Sequence, residues 1–558
     1  MPNRKIICLI FLLSISFFAA GQNTIGTILN DEGSLNGLTF FSPFSGTKAY
    51  LVDNCGRLIN HWDRGNRPGL SAYFLESGLM FRTYKPSPKG PFTSASNAGG
   101  LELVDWENNT VWKYEINTDT QLSHHDAVVL PNGNILVLTW QLAYEDELIE
   151  LGRDPDQIDP AGFAWSEKII EIEPIGSSDA IIIWEWQIKD HYIQSFDSTK
   201  LGFGVVSEHP ELFNINLPDL NSSNSHSNFD WNHFNSIDYD PTFDQILISV
   251  RNSDEIWVLD HSTTTEEAAT HSGGQSGKGG DMLYRWGNPA AYERGTINDQ
   301  KLFGQHGVNW VPQGHTSAGR ILIFNNGNGR PGTDFSTAEY LLPARDEDGR
   351  FEMPEQEAFG PETLDRIIGD ETGSRRYSAF LSNAQSLPNE NTLINYGSLG
   401  TIVEVNKFDE VVWEYVIPLN GDAPLNQGQN ASGNWTFRAY KYSLDYAGFE
   451  GVDLTPGAPI ESGTDLSDCQ ISSLTDQIKF LDQLEFQWFP AEHQFEINVP
   501  VPVRLNISIV DITGRILIYN TLNSYPYRSK MLSLTTGIYF LRIAHPNGEV
   551  ITHKIFNP

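Results

Sequence analysis

Histidine recurs in this chain at places where chemistry is expected. Three of four copies of a repeated hairpin open on it: His124 and His125 in SHHDAVVLPNGNILVLT (123–139), His233 in NHFNSIDYDPTFDQILISV (232–250) and His306 in QHGVNWVPQGHTSAGRILIFN (305–325). An imidazole can act near neutral pH as nucleophile, proton shuttle or anion donor. The third copy adds Asn325, Asn326 and Arg330 in FNNGNGR, where glycines let backbone N–H groups approach a ligand and arginine supplies a planar cation. The set suits a small oxyanion, because phosphoryl or sulfuryl transfer needs positioning, charge stabilisation around the equatorial oxygens and one nucleophile in line. His61, His191, His209, His226, His261 and His271 read as solvated loop residues, and Arg251 and Arg438 as turn residues. No short spacing such as His-x-Glu-x-x-His occurs, so neither a metal centre nor an organic cofactor is expected.

The elements that must position these residues are strands. Each copy alternates apolar and polar residues, turns on Gly, Asn or Pro, and runs into a second strand; SNAQSLPNENTLINY (382–396) is the fourth copy. Further strands follow, many holding a tryptophan, as in TVWKYEI (110–116), IIIWEWQI (181–188) and VVWEYVIP (411–418). Helical periodicity is nearly absent. The class is therefore all-β, and repeats at irregular spacings of about 70–110 residues predict a six-bladed β-propeller of four-stranded blades. In such a body the first strand of each blade lines the central channel, so residues at equivalent positions converge. The acidic stretch 142–164 and the polar stretch 261–281 read as insertions.

The chain has 558 residues, too many for one simple core, and a formal charge of −35, which disfavours nucleic acid or an anionic membrane as partner. Arg4 and Lys5, an apolar run from Ile6 to Phe18 and the small residues Ala19 to Gly21 predict a signal peptide at 1–21. No transmembrane segment is expected after it. Composition then divides the chain into the propeller (22–455), a Pro/Gly/Ser/Thr linker (456–483) and a small C-terminal β-sandwich (484–558). Cys55 and Cys469 give no disulfide framework, and their pairing stays open.

HHDAVVLPNGN, DWNHFNSIDYD with SVRNSDEIWVLD, GQHGVNW with FNNGNGRP, and FRAYKYSLDYAGFEG (437–451) together resemble the bacterial aryl-sulfate sulfotransferase family, over about residues 25–455. The resemblance implies a six-bladed propeller that moves a sulfuryl group from a phenolic sulfate ester to a phenolic acceptor through a sulfated histidine. It implies His233, His306 and Arg330 as sulfate-holding residues; from the repeat positions and the FNNGNGR segment, His124, Asn325 and Asn326 are expected to bind the substrate. The family's nucleophile falls where this chain reads SAFLSNAQSLPNEN, with Ser382 or Gln385 in its place, and there is no histidine between His315 and His493. His125 is the expected substitute. The competing reading is a non-catalytic propeller that binds a glycan, sulfated polymer or protein partner. SIVDITGRIL, LTTGIYFLRI and the ending HKIFNP resemble the sorting domain of the type IX secretion system, implying export through the periplasm to the cell surface or medium, with that machinery as partner.

Overall fold

The computed structural model describes residues 23–217, 229–369, 376–466, 469, 484–499, 505–510, 516–522, 526–530, 532–534, 536–544 and 550–557. The expected signal peptide, His226, and the expected linker beyond 466 apart from Cys469, lie outside these residues. The protein is all-β. No helix among the described residues is long and apolar enough to cross a membrane.

Among the described residues, six antiparallel sheets of four or five strands hold most of the strands between 26 and 443. The second runs Pro68–Phe74, Met80–Tyr84, Gly100–Val104, Thr110–Glu115, and the third Gln121–Val129, Ile135–Tyr144, Phe163–Ile175, Asp179–Gln187. The fourth follows as Phe234–Asp240, Gln245–Val250, Glu255–Asp260, Tyr284–Trp286, and the fifth as His306–Trp310, Ile321–Asn325, Thr337–Leu341, Arg366–Ile368. The sixth holds Asn383–Ser386, Thr392–Tyr396, Thr401–Val405 and Val411–Val416, with Gly26–Asn30 added at its outer edge. The first sheet takes Gly37–Pro43, Lys48–Asp53 and Leu58–Asp63 from the start of the chain and its opening strand, Thr436–Ser443, from far downstream.

Local chemistry explains the hairpins. In the third sheet Gly133 takes φ +90°, a conformation that favours glycine, while Gly133 N–H donates to Leu130 O and Leu130 N–H to Asn134 O. The strands that leave such turns bury one face against the preceding sheet and one against the next. Leu138, Ile169 and Trp186 of the third sheet pack on Ile237, Ile248 and Trp257 of the fourth, and Leu393, Trp413 and Tyr415 of the sixth pack on Phe41, Tyr50 and Ala439 of the first. The other four neighbouring pairs share cores in the same way. The edge tryptophans, being amphipathic, also fasten sheet to sheet: the indole N–H of Trp62 donates to Asp105 O, that of Trp112 to Asp179 O and that of Trp413 to Asn54 O.

The first strands of the six sheets touch in a closed cycle, from Pro68–Phe74 through Gln121–Val129 and onward to Thr436–Ser443 and back. Arg438, on the closing strand, ties them together. It donates to the Asp126 carboxylate of the third sheet at 2.8 Å, to Asn235 O of the fourth at 3.4 Å and to Ser382 O beside the sixth at 3.3 Å. Asp126 in turn accepts from the Ser71 hydroxyl of the second sheet and from Ile237 N–H of the fourth. The fifth sheet must place Gly307 here, since a Cβ would lie 2.6 Å from the Arg438 guanidinium. Arg438 is thus no turn residue; it is buried at the meeting point of the sheets.

Residues 457–466, within the expected linker, pair with the same body: Gly457 N–H donates to Leu58 O, Leu58 N–H to Ala458 O and Ser462 N–H to Leu425 O. Cys469 is disulfide-bonded to Cys55 across 414 positions. Further on, a three-stranded sheet (Glu485–Phe489, Gln494–Asn498, Tyr527–Arg528) and a four-stranded one (Leu505–Val510, Ile516–Leu522, Gly537–Ala544, Val550–Asn557) share a core of Phe495, Ile497, Ile507, Leu541 and Ile543.

Removing one partner of a buried ion pair strands the other charge at a typical cost of about 3–5 kcal/mol. Arg438→Ala is expected to lower the unfolding free energy by about that amount, whereas exposed Arg350→Ala leaves it within about 0.5 kcal/mol. Denaturant unfolding of the two variants measures the difference.

Candidate active site

Above the Arg438–Asp126 pair the six first strands leave a cavity of about 470 Å³. Its lining includes His125, His233, His306, Arg251 and Asp230, surrounded by Phe44, Leu70, Trp165, Phe380, Leu381, Trp435 and Phe437. Backbone geometry brings these side chains together. At the head of successive first strands the chain takes a left-handed conformation, with φ +111° at Leu70, +45° at His125, +57° at His233, +59° at Gly307 and +90° at Ser382. A positive φ at a non-glycine residue is costly and clusters at functional sites. Four of the five kinks go with a break in the hairpin register, between Pro68 and Ala72, Val137 and Thr139, Phe234 and Ser236, and His306 and Asn309, and such bulges re-aim the side chains beside them.

Hydrogen bonds fix the tautomers. His306 Nδ1 lies 2.7 Å from Asn326 Oδ1 and 3.1 Å from Gly304 O. The Asn326 amide nitrogen donates to Ser378 O and Leu381 O, so its oxygen faces the ring and both of these His306 partners are acceptors. The proton therefore sits on Nδ1 and Nε2 carries the lone pair. His233 Nδ1 faces the Asp230 carboxylate at 2.5 Å, which gives the same tautomer. For His125 the chain is longer. Glu167 accepts from Phe234 N–H through one oxygen and meets His124 Nε2 at 3.0 Å through the other, while His124 Nδ1 lies 2.8 Å from His125 Nδ1. A proton on His124 Nε2 makes His124 Nδ1 the acceptor and His125 Nδ1 the donor, again leaving the lone pair on Nε2. Trp140 stacks on the His124 ring at 4.0 Å and holds it in this line.

Electrostatics keeps two of these rings neutral. Burial, then the neighbouring His233, His124 and His306, pushes His125 well below the ordinary histidine value. Burial and then the Arg251 guanidinium do the same to His306. Burial raises the Glu167 carboxyl, against the opposing pull of His124. The rings of His125 and His233 stand 4.5 Å apart, close enough to act on one bound group.

His125, His233 and His306 therefore meet in one cavity, while His124 and Asn326 stand behind them as positioning groups. Asn325 and Arg330 stand elsewhere. Asn325 bridges Phe303 N–H, Lys301 O and Glu339, and the Arg330 guanidinium donates to Thr337 Oγ1 at 3.1 Å and lies 3.5 Å from Glu339. The reason is a second repeat. Every sheet carries a buried carboxylate on its third strand, each with a basic partner: Asp53 with Arg57, Glu102 with Arg82, Glu167 with His124, Glu255 with Arg285, Glu339 with Arg330 and Glu404 with Lys441. Arg330 serves in that series. The guanidinium at the cavity is Arg251, which SVRNSD placed at a strand end and which reads as a turn residue from sequence alone. Ser382 is fully buried and bonded to Ser378 and Gly397 N–H, and Gln385 is bonded to Lys441 on the closing strand.

Two histidines expected in solvent are not there. His191 is 1% exposed, and His261 is held between Asp244 at 2.6 Å and Glu171 at 2.9 Å. Burial alone would lower His261, but the two carboxylates outweigh it and push it up to about 9.

The chain matches the family model described as Arylsulfotransferase (ASST) over residues 30–417 and that of the secretion system C-terminal sorting domain over 489–557. No curated protein matches it. Among solved structures it is similar to a protein of unknown function from Bacteroides caccae, at 11% identity and TM-score 0.36, covering 68% of this chain and 93% of that one. It is also similar to a streptogramin B lyase (9%, TM-score 0.31, 72% and 86%) and to apo AztD from Citrobacter koseri (7%, TM-score 0.31, 73% and 99%). The sorting domain marks a secreted or cell-surface protein that engages the type IX machinery.

Nitrogen-15 NMR of labelled histidines is expected to show His125 and His306 titrating well below about pH 6.5, and His261 near 9. Because folding raises His261, its contribution to stability is complete below the unfolded value of about 6.5 and disappears as pH rises through 9. His261→Gln should accordingly destabilise more at about pH 6 than at about pH 10. Equal losses at both would show that the charge of His261 adds nothing.

Proposed function

The chain belongs to the arylsulfotransferase family, and from that membership we propose that it moves a sulfuryl group from an aryl sulfate to a phenol, on a six-bladed propeller, through a sulfated His125. The observation that carries this reading is the juxtaposition in one aromatic-walled cavity of Arg251 with three imidazoles whose Nε2 atoms hold lone pairs. The aromatic wall suits a phenyl ring; Phe380 and Trp435, partly exposed, meet edge-to-face at 5.2 Å. Arg251 suits the sulfuryl oxygens, taking the place that the resemblance gives to Arg330.

The lone pair on His125 Nε2 attacks sulfur, the S–O bond to the donor breaks, and its electron pair leaves on the phenolate oxygen, which takes a proton from solvent. The sulfonated imidazole gains positive charge, which spreads along Nδ1–H to His124 and Glu167. An acceptor phenol then gives its proton to the Nε2 lone pair of His233, which passes it to solvent, the phenol oxygen attacks sulfur, and the N–S electron pair returns to His125. Donor sulfate and acceptor phenol become donor phenol and acceptor sulfate, and the enzyme is restored. His306, which presents the same tautomer, is the competing nucleophile.

A chromogenic aryl sulfate with an added phenol tests the proposal. Turnover stimulated by the acceptor is expected, falling by about 100-fold or more in His125→Ala and by about 100-fold to 10,000-fold in Asp230→Asn, with substrate affinity less affected. Peptide mapping of the trapped enzyme should find the sulfuryl group on His125. A label on His306 would move the nucleophile, and no turnover by the folded protein would favour the non-catalytic binding reading.

A further inference from the structure

Outside the cavity, one cluster of side chains has the donor set of a metal centre. His191, His271 and Asp281 each offer a ligand atom, and these atoms all lie within 4.8 Å of one another. His191 comes from the turn after the third sheet; His271 and Asp281 bracket the glycine-rich loop SGGQSGKGG in the insertion before Tyr284. His191 Nε2 lies 2.8 Å from Ala268 O, a carbonyl that can only accept, so the ring proton resides on Nε2. Nδ1 then turns its lone pair on the Asp281 carboxylate at 2.8 Å, an acceptor facing an acceptor. A second ring proton or a metal cation resolves that conflict, and a further imidazole aimed at the same carboxylate oxygen favours the cation. His271 Nδ1 points at the same carboxylate oxygen, also at 2.8 Å, from a side chain that is 61% exposed.

The surroundings are built to hold this arrangement. Trp186 stacks parallel on the His191 ring at 5.4 Å, and its indole N–H donates to Gly280 O. Gly280 cannot be another residue, because a Cβ would fall 2.1 Å from Ala268 O and 2.6 Å from His191 Nε2. The Nε2–H to carbonyl bond is the kind of outer contact that orients a metal-bound imidazole.

We propose that His191 Nδ1, His271 Nδ1 and Asp281 bind one Zn²⁺, with water at the open fourth position. A tetrahedral zinc with ligands at about 2.0–2.2 Å holds neighbouring donors roughly 3.3 Å apart, so each of the two N···O separations need widen by only about 0.5 Å. The ion clasps the insertion to the turn at Ile188–His191. It is independent of the sulfuryl-transfer reading.

The test uses untagged full-length protein stripped with a chelator and titrated with ZnCl₂ by calorimetry and native mass spectrometry. One zinc per chain is expected, with a raised melting temperature. Affinity should fall about 100-fold in His271→Ala, whose exposed side chain can be removed without disturbing the core, and in Asp281→Asn. Cobalt(II) in place of zinc should give the visible absorption of a four-coordinate site, lost in His271→Ala. No zinc bound by the native protein, or unchanged zinc affinity in His271→Ala, overturns the proposal; loss of zinc in His306→Gln alone would place the ion in the cavity and overturn it equally.

Discussion

The buried ion pair between Arg438 and Asp126 is the constraint on which the rest of the molecule depends. A guanidinium removed from water must find acceptors for its donors, and here they are supplied by strands of three different sheets. Satisfying one side chain therefore brings those strands into register around it. The cavity directly above inherits that register, because His125 precedes Asp126, His233 lies two residues before Asn235, and Leu381 precedes Ser382.

A second regularity shows how a structural device becomes a chemical one. The buried third-strand carboxylates are paired with arginine or lysine in five sheets, where the pair is a fixed charge contact. In the third sheet the partner is His124. An imidazole has two nitrogens, so the contact continues to His125 and acquires the ability to pass charge along its length. The position that braces a strand in five sheets fixes, in the third, the tautomer of a cavity histidine.

Much of this was legible in the sequence. Alternation and the Pro-Asn-Gly-Asn turn locate the hairpin at 123–139, and equivalent placement in the repeats points to His125, His233 and His306. What was not legible follows from long-range geometry. The left-handed conformation of His125 and His233 has no mark in residue type, since glycine alone announces it. Arg251 sits at a strand end followed by Asn-Ser-Asp, a context indistinguishable from a surface turn, and only the converging sheets bury it. Arg330, beside a glycine-rich run, looked like an anion ligand, yet Glu339 nine residues later claims it. His191 and Asp281 are 90 residues apart, and no local pattern joins them.

The closing strand, the stapling disulfide and the outer strand at Gly26–Asn30 all involve residues at or before 469, whereas the sorting domain begins at about its own first strand, Glu485–Phe489. The chain is thus locked upstream of its address label. A peptide-bond cut after Cys469 and before Glu485 would leave the strands described up to Ser443 and the disulfide on one side and the sorting domain on the other. During synthesis the converse holds: no ribosome-bound fragment that ends before the Thr436–Ser443 strand can complete the first sheet, so the cavity beside that strand forms only when nearly all of the body has emerged.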